Sequence, residues 1–87
     1  MKAIIFSRKS SMQNQAQIKS LLQSLRTNNV MIQSVDADTI EGSQLSEVYG
    51  VMDYPSVVII SEDGAVRGFW QGNLPGEGEV SQAVGYI

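Results

Sequence analysis

Residues 49–60 have the sequence YGVMDYPSVVII, which places a proline almost directly before a wholly apolar run. Such a run, Val57 to Ile60, is typical of a strand that is covered on both faces of a sheet. The tripeptide Glu62-Asp63-Gly64 follows and provides a hairpin turn into a second strand from Ala65 to Gln71. This stretch therefore predicts two adjacent antiparallel strands, the first of which lies inside a sheet.

The N-terminal part of the chain predicts a parallel β–α–β unit. Ala3 to Phe6 is another wholly apolar run, and Val30 to Val35 is a β-rich run that polar residues interrupt. Between them, apolar residues at helical spacing predict a helix that ends near Thr27-Asn28-Asn29; they are Ile18, Leu21, Leu22 and Leu25. Because a helical crossover joins parallel strands in a right-handed sense, the two strands should lie in one sheet.

Two further helices complete the predicted order. Glu41 to Tyr49 predicts a short helix whose apolar residues are Leu45, Val48 and Tyr49 and which stops at Gly50, and Gly76 to Tyr86 predicts a final helix. The order is βαβ followed by αββα. This is an α/β fold with a four-stranded mixed sheet and flanking helices, in a single domain of residues 1–87. The wholly apolar strands should be central, and the polar-interrupted strands should be at the edges.

The last predicted strand carries Trp70, the one tryptophan of the chain. Alternate residues of a strand point to the same face of the sheet. Trp70 should therefore share a face with Val66 and Gly68. Of its two possible positions, exposed on an edge strand or packed under the last helix, this arrangement favours packing.

The composition excludes most catalytic chemistries. The 87 residues include no cysteine and no histidine, which removes thiolate nucleophiles, disulfides and the commonest metal ligands. A formal charge of −3 with six scattered Lys and Arg gives no basic surface for nucleic acid. The N-terminal apolar run is too short for a signal-peptide core, and no segment reaches the roughly 20 apolar residues that span a bilayer. We therefore expect a cytoplasmic protein without cofactor or metal, and neither nucleic acid nor membrane as partner.

Several short motifs, taken together in their order and spacing, resemble thioredoxin and glutaredoxin domains. Residues 4–14 (IIFSRKSSMQN) and the helix residues after them are similar to the strand, active loop and first helix of a glutaredoxin. The downstream half, with Tyr54-Pro55-Ser56, Asp63-Gly64 and Gly72-Asn73-Leu74-Pro75, is more similar to thioredoxin. The resemblance implies a thioredoxin-like fold in which the Tyr54–Pro55 bond is cis and faces the loop before the first helix.

The redox motif of that family is missing. The family carries Cys-x-x-Cys in the active loop, with the first cysteine at a helix N-terminus that stabilises its thiolate. By position the two cysteines correspond to Ser11 and Asn14, and neither residue can form a mixed disulfide. The resemblance therefore implies a redox-inactive domain without disulfide oxidoreductase activity. Ser11 keeps two interpretations, a helix cap or a hydroxyl that polarises a bound thiol.

We predict a non-catalytic module that binds a protein or peptide in the groove beside cis-Pro55. In this fold the residue before the proline and the N-terminus of the first helix leave unpaired backbone groups, and an extended peptide can pair with them. The predicted groove residues come from three segments of the chain: Arg8, Ser10, Ser11, Met12 and Asn14 from the first, Tyr54, Pro55 and Ser56 from the second, and Gly72 and Asn73 from the third.

Two alternatives stay open for the function. One is a serine-type, transferase-like module that binds glutathione through Ser11, although Gly72-Asn73-Leu74-Pro75 does not reproduce the Gly-Gly-x-Asp turn by which glutaredoxins hold glutathione. The other is a structural or assembly subunit whose strand edges pair with a copy of itself. The acidic residues Asp36, Asp38 and Glu41 also have two interpretations, a cation site or helix capping.

Overall fold

A computed structural model describes residues 1–8 and 15–85. The strands and helices in these residues are β1 (Lys2–Ser7), α1 (Gln15–Thr27), β2 (Met31–Asp36), α2 (Ile40–Tyr49), β3 (Ser56–Ile60), β4 (Val66–Gln71) and α3 (Glu77–Ala83). The strands form one sheet in the order β2-β1-β3-β4, with β1 and β2 parallel and the other pairs antiparallel. The predicted α/β class, with a four-stranded mixed sheet and flanking helices, is confirmed.

The two wholly apolar runs form the central strands, as their sequences predict. Every residue of β3 is buried, and Val57, Val58 and Ile59 are 0% exposed. In β1 the four residues from Ala3 to Phe6 are buried as well, and Ile4 lies opposite Val58. Because helices or loops cover both faces of these strands, neither strand can alternate apolar with polar residues.

Helices α1 and α3 cover one face of the sheet. Leu21 and Leu25 of α1 and Val80 of α3 belong to the same buried cluster as Ile5 and Val57. Helix α3 ends at Ala83, earlier than the predicted end at Tyr86, which lies outside the described residues. Within the described ranges, none of the helices is both long enough and apolar enough to cross a membrane.

Helix α2 covers the other face with a stripe that includes small residues. Leu45 and Tyr49 pack against the cluster on this face, and Gly42 and Ser46 are buried. Val48 is 74% exposed, so the expectation that it lies on the apolar side of this helix is wrong. At about 100° per residue, Val48 lies about 110° from the centre of the stripe, because the helix turns its small residues to the sheet.

Two glycines have the left-handed backbone that their positions require. Gly50 has φ 68° and ends α2, where its N–H donates to the carbonyl of Glu47 at 3.1 Å. Gly64 has φ 89° in the turn between β3 and β4, and its N–H donates to the carbonyl of Ser61 at 3.0 Å. Residues with a Cβ rarely adopt this conformation, so the two glycines correctly predict the end of α2 and the turn between β3 and β4.

Strand β4 departs from simple alternation at its first residues. The register shifts between Ile59 and Ile60, so that Gly68 lies opposite Ile59 and Val66 lies opposite Ile60. Arg67 is the extra residue of this bulge. Residues opposite each other share a face, so Val66 faces the α2 side, and the expectation that it shares a face with Trp70 is wrong.

The indole of Trp70 packs along its own strand. A Cβ added to Gly68 would lie 2.3 Å from Cη2 of Trp70 and 3.2 Å from Cβ of Ala83. Gly68 therefore leaves the space that the indole fills between β4 and α3. The prediction that Trp70 and Gly68 share a face and that Trp70 packs under the last helix is confirmed.

Candidate functional site

One end of the sheet collects segments that are far apart in the sequence. Arg8 follows β1, residues 54 and 55 precede β3, and Gly72 follows β4. Because β3 is antiparallel to both β1 and β4, its start lies beside their ends. We call this region, made of Arg8, residues 54–56 and residues 72–73, the Pro55 end.

Pro55 is fixed at this end by backbone and side-chain hydrogen bonds. The Tyr54–Pro55 peptide bond is cis, and Pro55 is buried. Its carbonyl accepts a hydrogen bond from the N–H of Gly72 at 3.0 Å. Ser56 is 0% exposed, and its hydroxyl donates to the carbonyl of Asp53. The start of β3, the loop before it and the end of β4 therefore form one connected unit.

Tyr54 presents both backbone and aromatic groups at the Pro55 end. Among residues 1–8 and 15–85, no group forms a hydrogen bond with its backbone N–H or its carbonyl oxygen. Its half-buried ring packs against the cluster on the α2 face, and the guanidinium carbon of Arg8 lies 4.9 Å from the ring centroid. A cation over an exposed aromatic ring contributes about 0.5–1 kcal/mol, which favours one position of the ring.

Arg8 also forms an ion pair with Asp38. Its Nε lies 3.3 Å from Oδ1 of Asp38, and the two side chains are 49% and 48% exposed. An ion pair as exposed as this is worth about 0–1 kcal/mol, so it orients the two side chains more than it stabilises the fold. The guanidinium therefore connects the Tyr54 ring to the start of α2.

Asp36, the last residue of β2, orders the turn that leads into α2. The carboxylate of Asp36 accepts the N–H of Asp38 at 2.9 Å, and the carbonyl of Asp36 accepts the hydroxyl of Thr39 at 2.7 Å. Thr39 caps α2 by accepting the N–H of Gly42 at 3.0 Å. These contacts support the capping interpretation of Asp36 and account for the position of Asp38 beside Arg8.

A shallow recess of about 390 Å³ adjoins Arg8. Residues 37–40, Ser43 and Gln44 line it together with Arg8. Ile40 on its rim is 79% exposed. The recess extends the Pro55 end towards α2 and presents both charged and apolar side chains.

The structure brings together some of the predicted groove residues. Arg8, Tyr54, Pro55, Ser56 and Gly72 meet at the Pro55 end. Asn73 is exposed beside Gly72 and forms no hydrogen bond with a described residue. The remaining predicted groove residues lie outside the described residues and are Ser10, Ser11, Met12 and Asn14.

Sequence reasoning missed two residues that shape this end. Asp38 holds Arg8, and the carbonyl oxygen of the Gln71 side chain accepts the N–H of Met52 at 2.6 Å. The first was detectable, because β1 and β2 are parallel and the residues that follow them meet at one edge. The contact of Gln71 had no signal in the sequence, since it joins a long side chain to an irregular loop.

A larger recess of about 440 Å³ lies between α1 and residues 74–76. It is lined mainly by uncharged polar side chains of α1. The hydroxyl of Ser24 lines it and is buried without a hydrogen-bond partner in the described part of the chain. Nothing in the sequence motifs pointed to this surface.

Comparisons with known proteins support the fold alone. No family model and no curated protein matches the sequence. Among solved structures, a thioredoxin 1 from Thermosipho africanus is 16% identical with a TM-score of 0.72, and the match covers 98% of this chain and 88% of that one. The pneumococcal exposed lipoprotein thioredoxin Etrx1 from Streptococcus pneumoniae is 13% identical with a TM-score of 0.76, over 99% of this chain and 84% of that one.

A third structure is more similar in sequence but covers less of its own chain. It is a thioredoxin from Thermus thermophilus, 23% identical with a TM-score of 0.68, and the match covers 95% of this chain and 69% of that one. The chain contains no cysteine. This chain therefore has a thioredoxin-like fold in which the Cys-x-x-Cys motif is absent.

Proposed function

We propose that this chain is a redox-inactive, thioredoxin-like module that binds an extended polypeptide segment at the Pro55 end. The observation that carries the proposal is that, within residues 1–8 and 15–85, the backbone N–H and carbonyl oxygen of Tyr54 have no hydrogen-bond partner beside the buried Pro55. The backbone of a strand-like segment can form hydrogen bonds with the backbone of Tyr54. Affinity therefore does not require a particular sequence in the segment. Without cysteines, the chain cannot convert such a contact into disulfide exchange.

The side chain of Tyr54 supports the same mode of binding. A half-buried tyrosine that a cation already orients loses little conformational freedom when a partner covers it. Tyrosines in such positions are common energetic centres of interfaces. Tyr54 therefore serves as the anchor, and its backbone sets the direction of the bound segment.

Charge favours an uncharged or basic segment over an acidic one. The exposed carboxylate of Asp36 ends β2 at this end, those of Asp38 and Asp53 lie in the nearby loops, and Arg8 is already paired with Asp38. An acidic segment would meet like charges, and like charges across an interface oppose association. The partner is therefore a flexible segment with few acidic residues.

The test starts from a library of random peptides displayed on phage and selected on the immobilised protein. A selected peptide should shift the amide signals of Arg8, Tyr54, Ser56 and Gly72 together. The Tyr54→Ala variant should raise its Kd at least fivefold, which corresponds to about 1 kcal/mol. The matched control is Val48→Ala, an exposed position on α2, which should leave the Kd unchanged. Peptides that perturb only β2, or only the recess beside α1, would rule out binding at the Pro55 end.

The same spectra separate a peptide ligand from glutathione. Glutathione titrated into the protein should leave the Tyr54 and Gly72 signals in place if the module recognises extended backbone. Saturable shifts of these signals by glutathione, together with no peptide response, would instead favour the transferase-like alternative.

A further inference from the structure

Strand β4 is an edge strand with an open hydrogen-bonding side. The N–H of Gly72 points to the carbonyl of Pro55, and the register pairs Trp70 with Val57. In an antiparallel ladder the residues that bond to the neighbour alternate with residues that point away. The backbone N–H and C=O groups of Phe69 and Gln71 therefore point away from β3, and no described segment pairs with them.

This edge lacks most of the features by which edge strands avoid pairing. Such strands usually carry lysines, prolines or inward-pointing charges. The one charged residue of β4 is Arg67, and its guanidinium is turned towards the end of α3, since a Cβ on Gly85 would lie 2.9 Å from Nη2 of Arg67. The bulge lies at the Val66 end of the strand, so the part from Gly68 to Gln71 pairs regularly.

Apolar side chains stand beside the open edge on the α2 face. Val66 is 52% exposed, Phe69 is 39% exposed, and Met52 in the neighbouring loop is 81% exposed. The opposite edge of the sheet is different. Strand β2 ends in the exposed carboxylate of Asp36, and its one large exposed apolar side chain is Met31. An additional strand would therefore cover more apolar surface at β4 than at β2.

We propose that β4 pairs antiparallel with β4 of a second copy of this chain, extending the two sheets into one. The strand is complementary to itself about a two-fold axis at Phe69. In that register the two Phe69 residues face each other and exchange backbone hydrogen bonds, and their side chains form a cross-strand aromatic pair. Arg67 lies opposite Gln71, so no like charges meet along the strand. The contact is isologous and closes at two copies.

Charge also favours this edge for a second copy. The chain carries a formal charge of −3, so two copies repel each other wherever their acidic surfaces meet. Strand β4 contains no acidic residue and one basic residue, whereas β2 ends in the exposed carboxylate of Asp36 and contains no basic residue. The dimer therefore forms where repulsion between the copies is weakest.

A pair of proline substitutions tests which edge is used. Phe69→Pro removes an N–H that points away from β3, so the sheet of one chain keeps its hydrogen bonds. The matched control is Ser34→Pro on β2. The N–H of Met31 points to the carbonyl of Met1, so by alternation the N–H of Ser34 points away from β1. Both changes therefore place proline at an outward position of an edge strand.

Sedimentation equilibrium from micromolar to millimolar concentration is the measurement. The wild type should rise from 9.5 kDa towards twice that mass. Phe69→Pro should raise the dimer Kd at least tenfold, and Ser34→Pro should leave it unchanged. Phe69→Lys provides a second variant in case the proline disturbs folding. It keeps the backbone N–H, places two cations opposite each other and should also raise the Kd at least tenfold.

Several results would overturn the proposal. The first is a wild-type protein that stays monomeric at millimolar concentration. The second is a dimer whose Kd is raised by Ser34→Pro as much as by Phe69→Pro or Phe69→Lys. Hydrogen exchange adds an independent criterion. The Phe69 amide should become protected as concentration rises, and a dimer without that protection would also contradict pairing through β4.

Discussion

Replacing Gly42 by alanine should destabilise the protein, although alanine is the better helix former. Gly42 is buried in the first turn of α2. A Cβ added there would lie 1.9 Å from the carbonyl oxygen and 2.7 Å from the carbonyl carbon of Asp36, and 2.9 Å from Oγ1 of Thr39. Two of these atoms belong to the backbone at the end of β2, so a side-chain rotation cannot relieve the contact. Either α2 or the end of β2 must move.

The expected cost follows from three contributions. Forcing a methyl group into a packed interior costs about 1–3 kcal/mol. Moving Gly42 away from Thr39 weakens the cap, in which the hydroxyl accepts the N–H of Gly42 at 3.0 Å, and losing such a cap costs about 1 kcal/mol. The higher helix propensity of alanine offsets about 1 kcal/mol. The free energy of unfolding should therefore fall by about 1–3 kcal/mol.

Gly78→Ala is the matched control for this substitution. Gly78 lies in α3, and a Cβ added to it would meet no atom within 4 Å. The same chemical change should therefore be neutral or stabilising by up to about 1 kcal/mol, through helix propensity and the lower entropy of the unfolded chain. Urea unfolding followed by Trp70 fluorescence and by far-UV circular dichroism measures both variants.

A second measurement connects Gly42 to the Pro55 end. Because the residues between β2 and α2 hold Asp38 beside Arg8, Gly42→Ala should move the Nε–H signal of Arg8, and Gly78→Ala should not. The reasoning is refuted if Gly42→Ala is as stable as the wild type, or if it gains stability to the same degree as Gly78→Ala. Either result would mean that α2 does not pack against the backbone of Asp36 as the structure has it.

Two further predictions concern the β3–β4 turn and redox activity. The Ser61 hydroxyl, and next the Ala65 N–H, donate to the Asp63 carboxylate and lower its pKa below the ordinary 3.8. A pKa lowered on folding stabilises the protein above the unfolded value, and this stabilisation is lost as pH falls through the folded value. Asp63→Asn should therefore lower the urea midpoint at neutral pH but not in acid, and a carboxyl-carbon titration of Asp63 at or above 3.8 would contradict this. In an insulin-turbidity assay with dithiothreitol, the protein should give the rate of the blank, since no residue can form a mixed disulfide.

Most of the fold was predictable because single residues marked the boundaries of its elements. Gly50 and Gly64 stand where the backbone is left-handed, and the two wholly apolar runs are the central strands. The errors occurred where tertiary packing overrides local pattern. Val48 is exposed because α2 turns Gly42 and Ser46 to the sheet, and Val66 changes face because of a bulge that alternation does not reveal.

For the Pro55 end, the sequence predicted which segments come together but not the side-chain contacts between them. The resemblance placed Arg8, Tyr54, Pro55 and Gly72 at one end of the sheet, and the structure brings these four together. The pairing of Arg8 with Asp38 depends on where two parallel strands end, which requires the register as well as the strand order. Long polar side chains such as Gln71 reach irregular loops in ways that sequence patterns do not encode.

The contacts that build the Pro55 end form without any redox-active cysteine. The carbonyl of Pro55 is held by Gly72, Ser56 is tied to Asp53, and Arg8 joins Tyr54 to Asp38. None of these contacts involves a sulfur atom, and the central strands beneath them are packed mainly by apolar side chains. In the described part of the chain, the backbone N–H and carbonyl oxygen of Tyr54 have no hydrogen-bond partner. The binding that we propose at the Pro55 end therefore requires no thiol chemistry, and the chain contains no cysteine.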